Sequence, residues 1–100
     1  IYCRGLTHIE IPNSVTLIEH YVFSYCPNLS RVTIGKGIKS LWGGLDLSPS
    51  LKELIFLGDA PKAPANIDKC KEAIVYRQPE AKGWGSTWGG LPVRLIGEKP

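Results

Sequence analysis

The sequence has no C-x-x-C pair: its three cysteines, Cys3, Cys26 and Cys70, lie 23 and 44 residues apart. That spacing excludes the usual zinc and thioredoxin-like signatures. No uninterrupted apolar run approaches the ~20 residues a membrane helix needs, so membrane insertion by this segment is not expected. A basic-plus-apolar leader is also missing from the N-terminus. Because Ile1 is not a natural start, an export signal is expected to lie upstream or to have been removed. There is no basic block either. Twelve Lys and Arg against nine Asp and Glu give a net charge of +3, and the cations are scattered one or two at a time, as at Arg4, Arg31, Lys52, Arg77 and Arg94. Nucleic-acid binders gather such charge into a patch or a recognisable module, so nucleic acid is set aside as a partner. What remains, at 43% hydrophobic and 21% charged over 100 residues, is one soluble globular domain with a modest core.

What the chain does have is a repeat. Leu6, Ile9 and Ile11 return as Leu29, Val32 and Ile34 after a step of 23, and as Leu51, Leu54 and Phe56 after a further 22. Self-similarity at this period marks a solenoid, whose turns cannot bury their apolar faces alone and use their neighbours as core. The cysteines follow the same phase: steps of 23, 22 and 22 connect Cys3, Cys26, Ser48 and Cys70. Small side chains therefore recur where turns stack, and a buried thiol that acts as a small hydrophobe explains them better than a nucleophile or metal ligand. A Cys3–Cys26 disulfide is left open by the spacing without being required.

Within each turn, alternation of polar and apolar residues with β-branched types predicts a short strand. The expected strands lie near 7–11, 31–35, 53–57 and 73–77, with Leu6, Ile9, Ile11, Leu29, Val32, Ile34, Leu51, Leu54 and Phe56 buried. Val15 and Ile18, then Ile38 and Leu41, form the far wall, and Phe23 and Leu45 share one inward phase, held later by Ile67. Residues 1–5 read as the end of a turn whose beginning is missing, so upstream repeats are expected. Ser50-Leu51-Lys52-Glu53 has the form of a helix capping box, but its register with two earlier strands overrides that local pattern and predicts strand. Beyond Pro61 the repeat erodes. A last strand is expected over Ala73–Arg77 with its register ambiguous by one residue, and another over Pro92–Ile96. The fold class expected is a mostly β, short solenoid of stacked parallel strands with an irregular back wall. Repeat turns should fill 1–77, with a capping extension over 78–100.

The pattern L-T-x-I-x-I-P-x-S-V-T-x-I-x-x-x-x-F-x-x-C, read here from Leu6 to Cys26, resembles the turns of the BspA-like leucine-rich repeat proteins of bacteria. The tail, with Gly58-Asp59-Ala60-Pro61, Tyr76 and Gly83-Trp84-Gly85-Ser86-Thr87-Trp88-Gly89-Gly90, is similar to the C-terminal turn and extension of many members. The second turn departs from the pattern, with Gly35-Lys36-Gly37 in place of P-x-S and Trp42-Gly43-Gly44 in its back. The resemblance implies a surface-exposed or secreted bacterial protein whose repeats bind other macromolecules, in some members for adhesion, and it implies no catalytic residues.

The residues themselves point the same way. An enzyme requires a nucleophile, base and orienting group, or paired carboxylates, and none of these constellations is evident. His8 falls on an outward strand face and His20 in a loop, neither near a second ligand at metal spacing. The glycine-rich stretch 83–90 lacks the lysine and the strand-then-helix setting of a phosphate loop. Asn28-Leu29-Ser30 matches a glycosylation acceptor, but Asn after Pro is an ordinary turn residue and Leu29 a core position. No catalytic residue, metal site or cofactor is expected. Two readings compete for Trp84 and Trp88: a platform for sugar rings, or a cap over the open core, with capping favoured because a solenoid end must be covered. Trp42 is likewise read as packed. Outward strand residues should stack in columns, Thr7 with Ser30 and Lys52, His8 with Arg31 and Glu53, Glu10 with Thr33 and Ile55. The candidate partner-binding residues are therefore Thr7, His8, Glu10, Arg31, Thr33, Lys52 and Glu53, facing a protein or glycan. A plain solvated face, a carbohydrate-binding module using the tryptophans and a structural spacer are the alternatives.

Overall fold

The computed structural model describes residue 5 and residues 7–18, 28–41, 50–62 and 72–97. These contain eight strands and no helix: β1 (His8–Ile11), β2 (Leu17–Ile18), β3 (Arg31–Ile34), β4 (Ser40–Leu41), β5 (Glu53–Phe56), β6 (Ile74–Arg77), β7 (Thr87–Trp88) and β8 (Leu91–Leu95). The capping-box pattern at Ser50 thus yields to strand β5, as its register demanded. Leu6, Phe23, Leu45, Ile67, Trp42, His20, Ser48 and the three cysteines, each given a role by the sequence, lie outside the described residues.

One sheet of order β1-β3-β5-β6-β8-β7 organises the fold. Every pairing in it is parallel except that of β7 with β8. The sequence phases become physical rows. Ile9 pairs with Val32, Val32 with Leu54, Leu54 with Val75 and Val75 with Val93; Ile11, Ile34 and Phe56 make the next inward row. The architecture is a short leucine-rich-repeat type of β structure dominated by one parallel sheet. A second, two-stranded parallel sheet joins β2 to β4, and a bridge from Ser40 to Lys62 carries it toward the third turn.

The core consists of side chains at one strand phase together with residues just before each strand. Leu29, Val32, Ile34, Leu51, Leu54, Phe56, Ala73 and Val75 are each no more than 2% exposed, and Ile38 joins them from the far wall. Ile9 and Ile11 were expected to be buried like their counterparts, but they are only half-buried against this cluster. The reason is positional. β1 has β3 as its one paired strand among the described residues, whereas β3 and β5 are paired on both sides. Val93 of β8, next to the two-residue strand β7, is half-buried as well.

Turn corners stack as closely as strands. Asn13 Oδ1 accepts the Lys36 N–H at 2.8 Å, and Asp59 Oδ1 accepts the Lys82 N–H at 2.8 Å. A Cβ on Gly35 would stand 2.6 Å from Asn13 Oδ1 and 2.7 Å from Pro12 C, and one on Gly37 would collide with the Asn13 carbonyl. The glycines that set the second turn apart from P-x-S are therefore a requirement of the contact between corners.

Val32 sits in the middle of the inward row, so Val32→Ala should destabilise the fold by ~1–3 kcal/mol. Gly37→Ala should also destabilise, because the obstacle is backbone and cannot move aside. Urea denaturation followed by circular dichroism measures both, and an unchanged midpoint for Gly37→Ala would show that the corners are not locked together.

Candidate functional site

The outward phase of the main sheet is the surface on which the predicted partner residues fall. Strand side chains alternate between faces, so burial of Val32, Ile34, Leu54 and Phe56 sends Arg31, Thr33, Glu53 and Ile55 outward. The register places His8 beside Arg31, Arg31 beside Glu53 and Glu53 beside Ile74. It also places Glu10 beside Thr33, Thr33 beside Ile55, Ile55 beside Tyr76 and Tyr76 beside Arg94. Thr7 and Lys52 flank these rows and belong to the backbone ladder: Thr7 O accepts the Ser30 N–H, and Ser30 O accepts the Lys52 N–H, each at 2.9 Å. All seven predicted residues thus come together on or beside one face.

Their charges are largely paired. Arg31 Nε lies 3.0 Å from Glu53 Oε1, Lys52 Nζ lies 2.6 Å from Glu72 Oε2, and His8 Nε2 is 3.8 Å from Glu10 Oε2. The hydrogen bond from Lys52, with its positive charge, holds the Glu72 carboxyl below the usual glutamate range. An exposed pair such as Arg31 with Glu53 is worth only ~0–1 kcal/mol of stability, so these contacts do not explain the fold.

Sequence reasoning missed the other half of the face. Ile74, Tyr76 and Arg94 are partly exposed on β6 and β8, beyond the column that the repeat phase carried as far as Ile55. Steps of 23 and 22 shorten to 21 between Glu53 and Ile74 and to 18 between Val75 and Val93, so the repeat phase alone does not reach them. The alternation of Ala73 and Val75 with Ile74 and Tyr76 was the available signal. Arg94 Nε is shielded and has no hydrogen-bond partner among the described residues.

Trp84 and Trp88 lie elsewhere and pack against the core. Both rings pack against Phe56 with centroids 5.0 Å away, tilted by 54° and 57°, and stand 6.3 Å from each other. Trp88 is 6% exposed and its Nε1 donates to Pro61 O at 2.9 Å, while Trp84 Nε1 donates to Gly58 O at 3.2 Å. A Gly89-Gly90 turn with φ of 58° and 90° folds β7 onto β8 and fixes Trp88 opposite Leu91. Positive φ at both central positions is the geometry of a tight two-residue hairpin. Trp88 is thus buried, while Trp84 is half-buried against the same cluster.

Among the described residues no cluster of His, Cys, Asp and Glu is arranged to hold a metal ion, and no helix is long and apolar enough to cross a membrane. A family model described as BspA type leucine-rich repeat region (6 copies) matches residues 1–56. Comparison with curated proteins and with solved structures finds no match in either.

Trp88→Ala should cost ~3–5 kcal/mol in chemical denaturation, and neutral oligosaccharides should leave tryptophan emission unchanged; saturable quenching would restore the sugar-platform reading. A second expectation concerns Glu72. Since its folded pKa is depressed, the stabilisation from pairing with Lys52 is present above the unfolded value and lost as pH falls through the folded one. In Lys52→Met, the carboxyl titration seen by NMR should move up toward the ordinary glutamate midpoint.

Proposed function

The chain belongs to the BspA-type leucine-rich repeat family, a repeat class that mediates protein interactions and is generally non-catalytic, and on that premise we propose that it is an adhesion-type binding module of a bacterial surface or secreted protein. Its partner is a host or matrix macromolecule, bound on the outward strand face. The supporting observation is the register. Parallel pairing brings Thr7, His8, Glu10, Arg31, Thr33, Lys52 and Glu53 from three successive turns onto one surface, in rows ~5 Å apart.

Ile55, Ile74, Tyr76 and Arg94 continue that surface on β5, β6 and β8. The two halves suit different tasks. Aromatic and arginine side chains dominate the energy of protein interfaces, whereas rim charges steer encounter and orientation. Tyr76 is thus the anchor of this reading, and the paired charges toward β1 set specificity. Pairing also keeps those charges from repelling an incoming surface when no partner is bound.

Combined reversal, Arg31→Glu with Lys52→Glu, should leave the thermal midpoint within a few degrees of the parent while weakening capture of the chain by immobilised matrix proteins. Tyr76→Ala should weaken it further, by the ~2 kcal/mol typical of an interface anchor. Surface plasmon resonance against the same matrix preparation measures both, and unchanged capture by the two folded variants would remove the strand face as the binding surface.

A further inference from the structure

Away from the strand face, the exit corners of the second and third turns enclose a groove of about 370 Å³ lined by Lys36, Gly37, Ile38, Lys39, Asp59, Ala60, Pro61 and Lys62. We propose that this groove binds the anionic groups of an acidic glycan, sulfate or carboxylate, through Lys36, Lys39 and Lys62.

Charge carries the argument. On the strand face Arg31 and Lys52 each have a carboxylate partner within 3.0 Å. The three groove lysines are exposed, and none has a carboxylate within 4.0 Å among the described residues. One acid, Asp59, lines the groove, and its Oδ1 is occupied by the Lys82 backbone N–H at 2.8 Å. Glu80 lines the neighbouring groove that shares Lys36 and Asp59. The result is a concave site with a net positive lining, and such a site focuses field and concentrates anions.

Scattered in sequence, these lysines are brought together by the fold. Lys36 is held in place by its N–H bond to Asn13, Lys39 by its N–H bond to Thr16 O at 2.9 Å, and Lys62 by the bridge to Ser40. Their backbones are therefore pre-positioned before a ligand arrives. The composition of the floor selects among polyanions. Single-stranded nucleic acid binds by stacking its bases on aromatic rings along a basic track, and Ile38, Ala60 and Pro61 supply no aromatic ring. An acidic glycan needs cations spaced along a shallow groove over a small apolar floor.

Binding of the full chain to immobilised heparin tests the proposal, with neutral dextran, poly-glutamate and single-stranded DNA as comparison ligands. Heparin should bind and dextran should not. Lys39→Gln with Lys62→Gln should weaken heparin binding about ten-fold or more, the scale for losing two lysines against an anionic surface. Arg31→Gln with Lys52→Gln removes the same charge from the strand face and should leave heparin binding within about two-fold. Equal loss in both double variants would show diffuse net charge and overturn the site. So would absence of heparin binding by the parent. Poly-glutamate or DNA binding as tightly as heparin, with the same dependence on Lys39 and Lys62, would overturn the assignment to glycans. Capture of matrix proteins by the strand face should be unaffected by the groove variants, so failure here leaves that reading standing.

Discussion

Parallel backbone pairing at a nearly constant step is the constraint from which the rest of this molecule follows. A four-residue strand cannot shield its own apolar side chains, and an isolated pair of such strands buries too little to be stable. Stacking β3 between β1 and β5, and β5 between β3 and β6, puts Val32, Ile34, Leu54 and Phe56 out of water together. The same pairing aligns the side chains that point the other way. Core and candidate binding face are thus two sides of one register, and a slip of one residue would exchange them.

Stacking at strand separation also dictates what the corners contain. Asn13 approaches Gly35 and Gly37 so closely that a side-chain carbon is excluded at either position. The third corner answers with Asp59, whose carboxylate accepts the Lys82 N–H as Asn13 accepts that of Lys36. These corners hold Lys36 and gather it with Lys39 and Lys62, so the cationic groove is a by-product of the demands of close stacking.

At the far end the problem reverses, because the stack must stop. Trp84 and Trp88 pack on the fully buried Phe56, and both indole N–H groups are satisfied by the carbonyls of Gly58 and Pro61. The hairpin of β7 and β8 supplies a fifth parallel strand and then an antiparallel one only two residues long. Short terminal strands present little unpaired backbone, which protects against edge-to-edge association. The packing of this aromatic pair on Phe56 is in keeping with the cap that the sequence favoured over a sugar platform.

Taken by itself, the sequence determined the repeat, the strand positions near 7–11, 31–35, 53–57 and 73–77 to within a residue, the inward set and the outward columns of the first three turns. It could do so because burial in stacked turns imposes one period on the chain, and period is visible without coordinates. Only the tertiary structure decided the rest. Half-exposure of Ile9 and Ile11 depends on having one paired neighbour, which no local pattern records. Tyr76 and Arg94 reach the outward face through shortened steps of 21 and 18, where the phase is lost. Glu72 meets Lys52 across 20 residues, and Lys36, Lys39 and Lys62 look like scattered solvated charge until the corners bring them to one groove. Each of these depends on contacts between turns, and contacts between turns are a property of three-dimensional packing, which periodicity constrains but does not specify.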